Sequence, residues 1–393
     1  MVVRNRAASG GYMITTRRTI RVVGPALLTL ALVACQSAIR PVQSPQADIT
    51  PVLGTPPVKP ANTLRVYFID VGNGMCHVIQ CPGDKRAIID DCGSTNATLA
   101  LEPEEAVDRV QDLTKGRALD VVVTHTDLDH SKYLADALAG RAAKDIKTFW
   151  AGGSYPKYSA QIQGWIDNAK VAGADVRVND APPSSGIEGF PEGWHGSPDG
   201  EPVSALQCGA ADSYVLTVDS GASSNASSLV LMLSYAGKKI ILPGDATAVT
   251  EAAAIENFKA DIGFLNADVV ETSHHGAGSF STPSSNTTDW AEATLPRMLV
   301  SSAGWQLGYR HPRCAALDRY TGVIGPRIIA AVDKHALWCG EDKTQTWKKT
   351  NPEKLADYST ASNGEIVVDI SSKGTTALYF QVAAKAGAPP SEF

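Results

Sequence analysis

Four side chains that can bind a divalent metal ion lie close together in the chain. Residues 121–133 read VVVTHTDLDHSKY and carry His125, Asp127, Asp129 and His130 directly after an apolar stretch. Imidazole and carboxylate groups are ligands for such ions. Side chains two residues apart point the same way, so His125 and Asp127 can share one ion. Asp129 and His130 can reach a second ion about 3.5–4 Å away, as in two-metal hydrolases. The alternative is a solvated, charge-rich turn.

Two later segments carry the same kinds of ligand. Asp245 ends the string LPGD after the apolar stretch KKIIL, and an aspartate there can bridge two ions; taken alone, it would indicate only a turn. The string SHHG follows DVVE and presents His274 and His275, either of which can be the ligand. The ends of such strands converge at one edge of a sheet. The three segments together therefore predict one shared metal site.

The elements that must position these groups follow a pattern that occurs twice. Strands first pair as hairpins and then alternate with helices, which predicts an α/β fold of two mixed sheets packed together with helices outside. The predicted strands are 64–72, 76–81, 86–93, 120–125, 147–153, 213–219, 227–245, 267–276, 297–304, 327–333 and 364–383. The predicted helices are 101–116, 131–140, 159–174 and 250–258, and residues 181–201 predict a long surface loop.

Composition excludes several classes of protein. The chain has 393 residues, of which 44% are apolar and 19% charged, so disorder, collagen and coiled coil are excluded for the whole chain. No apolar run reaches the roughly 18–20 residues of a spanning helix, which argues against a multi-pass channel. Residues 1–34 hold five of the 35 basic residues and no acidic ones, so 30 basic and 41 acidic residues remain, a charge of −11. Phosphate contacts need Lys and Arg, so we expect no stable binding of duplex nucleic acid.

The first 35 residues have the layout of an export signal. A cluster of arginines precedes the short apolar stretch VVGPALLTLALVA, and initiation at Met13 would leave that signal intact. Leu32–Cys35 resembles a lipobox, in which Cys35 is acylated and becomes the mature N-terminus. An ordinary secretory peptide with an incidental cysteine is the alternative. We expect an exported protein held at a membrane by its acyl chains alone, on the periplasmic face or the cell surface, and Gln36 slightly favours the outer membrane.

The remaining chain divides into a linker, a body and a tail. Residues 36–63 contain six prolines and no hydrophobic period, which predicts a semi-extended tether. The folded body is expected over residues 64–383, followed by a flexible tail at 384–393. An even number of cysteines remains after Cys35, which permits disulfides in an exported protein. Pairing of Cys314 with Cys339, and a pairing among the cysteines at 76, 81 and 92, are plausible, but the connectivity stays open.

The body resembles the metallo-β-lactamase fold, and more narrowly the hydrolase domain of ComEC-type DNA-uptake proteins and their stand-alone relatives. The matching strings are YFIDVGNGMCHVI, AIIDDCG, VVVTHTDLDH, SSNASSLVLML, IILPGD, ADVVETSHHGAGSFST and LVSSAG with YRHP, between residues 64 and 312. The resemblance implies an αββα sandwich. It also implies a dinuclear site for two divalent ions, zinc or manganese, whose identity stays open.

The resemblance further implies roles for individual residues. His125 and Asp127 would bind the first metal, Asp129 and His130 the second, Asp245 would bridge, and His275 or His274 would complete the second site. Asp91 would orient a ligand from outside the coordination shell. Asn225 stands where many relatives have a third histidine of the first site. His274, His311 and Asp129 are the candidate catalytic residues, and His311 alternatively has a structural role beside a proline turn.

This chain departs from its relatives after the first cluster. Ser131-Lys132-Tyr133 replaces a pair of glycines, which changes how the backbone approaches the metals. Lys132 adds a cation that can hold an anionic substrate or form a salt bridge. Asn73 replaces a frequent glutamine, and the helices of an uptake channel are absent from the sequence.

These features predict a metal-dependent hydrolase, with a phosphodiesterase or nuclease favoured. The acidic body fits a small or single-stranded phosphodiester better than a duplex. Two alternatives stay open. One is a lactam, lactone or thioester hydrolase of the same fold. The other is a membrane-anchored binding protein with a vestigial metal site. The oligomeric state is not indicated by the sequence.

Overall fold

The structure of the protein, a computed structural model, describes residues 49–179, 206–279, 284–306, 308–324, 337–343, 346–350 and 356–381. The signal with Cys35, the loop at 181–201, the strand expected at 327–333 and the tail at 384–393 lie outside these residues. None of the described helices is long and apolar enough to cross a membrane.

The strands have the following bounds: β1 Ile49–Leu53, β2 Thr63–Phe68, β3 Cys76–Gln80, β4 Arg86–Cys92, β5 Ala118–Val123, β6 Ile146–Ser154, β7 Asp175–Asn179, β8 Asp212–Thr217, β9 Val230–Tyr235, β10 Lys238–Leu242, β11 Val269–Glu271, β12 Met298–Ser301, β13 Leu337–Gly340, β14 Trp347–Thr350, β15 Ala356–Ser359, β16 Ile366–Ser371 and β17 Thr376–Phe380. The α-helices are α1 Pro103–Thr114, α2 Leu128–Ser131, α3 Leu134–Ala137, α4 Ala160–Val171, α5 Ala248–Asn257, α6 Thr288–Thr294, α7 Cys314–Ile324 and α8 Thr360–Asn363.

Two mixed sheets contain most of these strands. One has the order β1-β17-β16-β2-β3-β4-β5-β6-β7 and the other β15-β12-β11-β10-β9-β8, while β13 and β14 pair separately. In the first sheet, antiparallel β2, β3 and β4 are followed by parallel β5, β6 and β7. In the second, antiparallel β8, β9 and β10 are followed by parallel β11, β12 and β15. The order of antiparallel strands followed by parallel strands therefore occurs in both sheets, as the sequence predicted.

Three apolar layers hold the sheets and helices together. Along β2, Leu64, Val66 and Phe68 belong to the layer between the two sheets, whereas Tyr67 faces the opposite side. The outer side of the first sheet packs against residues of α1, α3 and α4. The outer side of the second packs against residues of α5, α6 and α7. This alternation of buried faces produces helix, sheet, sheet and helix layers, which confirms the predicted αββα sandwich.

The folded part begins earlier than the sequence indicated. The linker was expected to extend to residue 63, but Ile49–Leu53 forms β1 and pairs in parallel with Thr376–Phe380. This strand contains Pro51, which cannot donate a ladder hydrogen bond. Proline is tolerated in an edge strand, and β1 lies at the edge of its sheet. The absence of a hydrophobic period therefore did not exclude a strand here.

The helix expected at 131–140 is replaced by the two short helices α2 and α3. The backbone N–H of Tyr133 donates to the carbonyl oxygen of Cys92 at 2.9 Å, so it does not bond within a helix. Gly93 allows this approach, because a Cβ atom there would lie 2.4 Å from the Leu128 carbonyl oxygen. Gly93 therefore lets the end of β4 lie directly against the turn of α2.

Three disulfides join the six described cysteines. Cys314 pairs with Cys339, as expected, and Cys76 pairs with Cys92 within the predicted group of three. Cys81 instead bonds Cys208, which is 127 residues away in the chain. That pairing depends on the two sheets lying face to face, and the sequence carried no signal for it.

Candidate metal centre

The first cluster lies where β5 leaves its sheet. Val121, Val122 and Val123 are fully buried, and the chain then turns at Thr124 into the short helix α2. The backbone N–H of His130 donates to the Asp127 carbonyl oxygen at 3.1 Å, which closes the first turn. A buried apolar strand followed by a tight helical turn therefore places all four candidate ligands at one end of the strand.

Asp245 approaches the same point from the second sheet. It follows β10, and its backbone N–H donates to the hydroxyl of Ser228 at 3.1 Å. Gly244 has a positive φ of 54°, and a Cβ atom there would lie 2.7 Å from the Thr124 side chain. Only glycine lets these two strand ends come so close.

The histidine pair occupies a strained turn after β11. His274 and His275 have φ values of 52° and 57°, a region that non-glycine residues rarely adopt. The side chain of Asn286 holds the turn, because it accepts from the Ser273 N–H and donates to the carbonyl oxygens of Ser273 and Ala277. Such strain persists only when surrounding bonds hold it in place. Asn286 lies at a distance in the chain and had no signal in the sequence.

The three segments bring their ligand atoms together. Two groups of residues each offer atoms that lie within 4.8 Å of one another: His125, His130 and Asp245, and Asp129, His130 and His275. Asp245 Oδ1 is 3.1 Å from His130 Nε2 and 3.5 Å from His275 Nε2. Its Oδ2 is 3.8 Å from His125 Nε2. The carboxylate of Asp245 therefore lies among all three imidazoles.

Hydrogen bonds orient the imidazoles of His130 and His275 so that Nε2 points inward. His275 Nδ1 is 2.8 Å from the Ser302 carbonyl oxygen, and His130 Nδ1 is 2.7 Å from Asp91 Oδ2. Both partners only accept, so each Nδ1 carries a hydrogen and each Nε2 is left to bind a proton or a metal.

A hydrogen bond at Nδ1 also orients the imidazole of His125. The hydroxyl of Thr124 donates its single proton to Asp91 Oδ2 at 2.7 Å. It therefore accepts from His125 Nδ1, which lies 3.1 Å away. His125 Nε2 is left to face the centre. Thr124 thus links His125 to Asp91, and nothing in its sequence position indicated this role.

The ligand atoms at the centre lack hydrogen-bond partners and are suited to bind a cation. His125 Nε2, His130 Nε2, His275 Nε2 and Asp245 Oδ1 are buried, and none has a hydrogen-bond partner of acceptable geometry. Buried polar atoms are normally paired, so four unpaired ones around a common point require an explanation. Nitrogen and carboxylate oxygen are the donor set of a zinc, manganese or iron site. The residues therefore fit a metal centre capable of hydrolytic chemistry.

Opposite charges within the centre shift the pKa values of its buried groups. Burial favours the neutral form of Asp245, but the charges of His274, His130 and His275 hold the pKa of this carboxyl well below its usual range. Burial disfavours protonation of His130, yet the charges of Asp245 and Asp91 raise its pKa well above its usual range. Protons and metal ions therefore compete for the same Nε2 atoms.

The arrangement differs from the predicted division of ligands. His130 belongs to both groups rather than to the second alone. Asp127 belongs to neither; its Oδ2 is 3.5 Å from His125 Nε2, its side chain is 43% exposed, and it accepts from the hydroxyl of Ser224. Asn225 Nδ2 lies 3.4 Å from Asp245 Oδ2 and 3.2 Å from His274 Nε2. The roles of Asp127 and Asn225 stay predictions.

The two candidate proton-transfer residues lie side by side. His274 Nε2 is 3.4 Å from Asp245 Oδ2, and the ring centres of His274 and His311 are 5.9 Å apart. Burial, together with the charges of His275 and His274, lowers the pKa of His311 well below its usual range, and its Nδ1 has no partner. Tyr309, which is 60% exposed, stacks on His311 with ring centres 5.7 Å apart. Tyr309 was not singled out in the sequence.

Lys132 does not contact the centre. It is exposed, and its ammonium group lies 5.8 Å from the ring centre of Tyr133. Its proposed contact with substrate stays a prediction. Asp91, in contrast, lies where it was expected, beside a candidate ligand and outside the two groups.

Comparison with known proteins supports the fold alone. No protein-family model matches the chain, and no curated protein matches it. Among solved structures, the chain is similar to the metallo-β-lactamase fold protein YhfI from Bacillus subtilis, with 13% identity over 67% of this chain and 94% of that one, at a TM-score of 0.36. It is also similar to the short form of human tRNase Z, with 12% identity over 60% and 91% at a TM-score of 0.32. A metallo-β-lactamase mutant from Cronobacter sakazakii has 12% identity over 52% and 75% at a TM-score of 0.27. Scores this low carry no argument about activity.

Replacing Asp91 by asparagine should weaken metal binding. The amide cannot accept from Thr124 and His130 as the carboxylate does, so His130 loses its fixed orientation. We expect the dissociation constant for Zn²⁺ to rise about 10–100-fold, measured by competition with a chromophoric chelator. Asp108→Asn, on the exposed face of α1, is the matched control and should leave it unchanged. Equal affinities for wild type and Asp91→Asn would contradict the orienting role.

Zinc binding should tighten as the pH rises. The pKa values of His130 and His275 are raised in the metal-free protein, so protons must leave their Nε2 atoms before a metal binds. Fewer such protons remain at higher pH, and we expect the dissociation constant to fall from about pH 6 to about pH 8. Calorimetry in buffers of different ionisation enthalpy would count the protons released. A pH-independent dissociation constant without proton release would exclude these imidazoles as ligands.

Proposed function

We propose that the protein is a metal-dependent hydrolase whose substrate is a phosphodiester. The observation that carries the proposal is the set of four buried, unpaired ligand atoms whose orientation is set by hydrogen bonds from outside the centre. The chemistry that divalent ions supply when bound is Lewis-acid polarisation of the substrate and activation of water. His125, His130, His275, Asp129 and Asp245 would hold the metal, and zinc or manganese fits these ligands.

The residues at the mouth of the centre are suited to move a proton. Burial lowers the pKa of His274, which favours its neutral form, and its side chain remains 29% exposed, so the imidazole is accessible to substrate. The neutral His311 lies beside it. We assign to His274 a proton relay, in which its neutral imidazole accepts a proton from the attacking water and passes one to the leaving group, and to His311 a contact with the substrate's polar oxygen.

The preference for a phosphodiester rests on the resemblance to ComEC-type hydrolases and on charge. A chain with a charge of −11 beyond residue 34 binds long duplexes poorly. A short or single-stranded phosphodiester needs only one phosphate at the metal centre. The exposed ring of Tyr309, next to His311, can stack against a base of such a substrate.

We also propose that the protein works outside the cytoplasm, anchored through Cys35. The signal-like segment supports this location. The three disulfides support it further, because such bonds persist in oxidising compartments.

Hydrolysis of phosphodiesters should require the metal ligands of the centre. The exported protein, loaded with Zn²⁺ or Mn²⁺, is expected to hydrolyse bis-p-nitrophenyl phosphate and a labelled single-stranded oligonucleotide. Asp245→Asn should lower kcat/KM by at least about 100-fold, since metal stabilisation of transition-state charge amounts to several kcal/mol. Asp108→Asn again serves as the control.

Two results would contradict the phosphodiester proposal. One is that neither substrate is turned over by the metal-loaded protein. The other is that nitrocefin is hydrolysed and the phosphodiesters are not, which would select the lactam alternative. Wild-type turnover that Asp245→Asn leaves unchanged would show that the centre is vestigial.

Replacing Cys35 by serine should release the protein from membranes. The serine cannot carry the thioether-linked lipid, so the anchored chain becomes extractable without detergent. Membrane and soluble fractions of the producing cells, probed by immunoblot, measure the shift. A Cys35→Ser protein that remains in the membrane fraction like the wild type would contradict the lipid anchor.

A further inference from the structure

A second cluster of ionisable groups lies inside the protein, outside the metal centre. His77 is on β3, Asp90 is opposite it on β4, Glu271 ends β11, and Ser302 directly follows β12. None of the four is more than 1% exposed. The cluster therefore joins the two sheets through polar contacts within a layer that is otherwise mainly apolar.

The imidazole of His77 lies between two carboxylates. Its Nε2 is 3.0 Å from Glu271 Oε1, and its Nδ1 is 3.3 Å from Asp90 Oδ2. The hydroxyl of Ser302 donates to the same Glu271 oxygen at 2.6 Å. Burial alone would lower the pKa of His77, but the charge of Glu271 and the hydrogen bond to Asp90 raise it to about 10. The two carboxylates therefore favour the protonated form of His77, which has an acceptor on each side.

Stability does not explain this cluster. Asp90 Oδ1 and Glu271 Oε2 are buried without a hydrogen-bond partner, so the network is only partly satisfied. Buried ionic clusters can often be replaced by apolar residues at no loss of stability or with a gain. A partly satisfied network is still less favourable than an apolar core. The ring of Phe68 packs edge-on against His77, with ring centres 5.0 Å apart, so the cluster is enclosed by the apolar layer between the sheets.

Both ends of the cluster adjoin residues that orient the metal centre. Ser302 supplies the carbonyl oxygen that accepts from His275 Nδ1. Asp90 immediately precedes Asp91, which accepts from His130 Nδ1. Movement of either strand end would change the direction of one Nε2 atom. The His77 cluster thus connects the supports of two candidate ligands that come from different sheets.

We propose that His77 is a positioning residue for the metal centre. Its contacts with Asp90 and Glu271 keep the end of β4 and the ends of β11 and β12 in the relative position that directs His130 and His275 toward Asp245. The substitution of a pair elsewhere in the core should not have this effect.

The structure offers a matched control pair. Arg65 and Asp369 are buried on neighbouring strands of the first sheet, with Nε to Oδ1 at 2.6 Å and Nη2 to Oδ2 at 2.7 Å. Neither residue contacts the metal centre or the residues that orient it. This pair is also buried and ionic, but it lies within one sheet and has no connection to the centre.

The test compares two double variants, His77→Leu with Glu271→Leu and Arg65→Leu with Asp369→Leu. For the first, we expect the metal-free protein to remain folded by circular dichroism, with the dissociation constant for Zn²⁺ raised about 10–100-fold. The absorption spectrum of the Co²⁺-loaded form should also change. For the second, thermal stability is expected to change while the Zn²⁺ dissociation constant stays at the wild-type value.

Three results would overturn the proposal. One is an unchanged Zn²⁺ dissociation constant in the folded His77→Leu, Glu271→Leu protein, and another is equal weakening in both double variants. If the first double variant does not fold, Glu271→Gln keeps the size of the side chain and removes its charge. For Glu271→Gln we expect the Zn²⁺ dissociation constant to rise about tenfold. An unchanged dissociation constant in this variant would be the third contrary result. If the wild-type protein itself binds no Zn²⁺, the proposed function fails as well. If the wild type binds Zn²⁺ and the His77→Leu, Glu271→Leu protein binds it equally tightly, only the positioning role of His77 fails.

Discussion

The carboxylate of Asp91 is the contact on which the candidate centre depends. It is fully buried and accepts three hydrogen bonds, from the N–H and hydroxyl of Thr124 and from His130 Nδ1. Through Thr124 it also determines which nitrogen of His125 faces inward. One side chain at the end of β4 thus sets the orientation of two imidazoles at the end of β5. A buried carboxylate with three donors is strongly held in place, because each donor stabilises its charge.

The centre also requires that backbones from different segments come unusually close. Gly93 lies against α2, Gly244 lies against Thr124, and Gly276 lies against Pro312, where a Cβ atom would be 2.5 Å from the proline ring. Each of these glycines removes a side chain at a point where two segments meet. The ligands can converge from two sheets only because these positions carry no Cβ atom.

Local patterns in the sequence were enough to predict the strand ends and the ligand types. The apolar stretch before His125 indicates a buried strand, and polar groups directly after it indicate a site at the sheet edge. The sharing of His130 between two groups could not be predicted, because it depends on side-chain directions in three segments. The Cys81–Cys208 bond likewise depends on how the sheets face each other. A single polar residue such as His77 in an apolar strand gives no indication of its distant partners.

Strand β1 affects how far an anchored molecule can extend from a bilayer. If the acyl chains are on Cys35, only the residues from 36 to 48 lie between the anchor and the edge of the first sheet at Ile49. Fully extended, such a segment spans at most about 50 Å, roughly half of what a spacer ending at residue 63 would allow. The folded body of such an anchored protein would therefore be confined to a zone of about that depth beside the lipid surface. Substrates would be encountered within that zone rather than throughout the surrounding compartment.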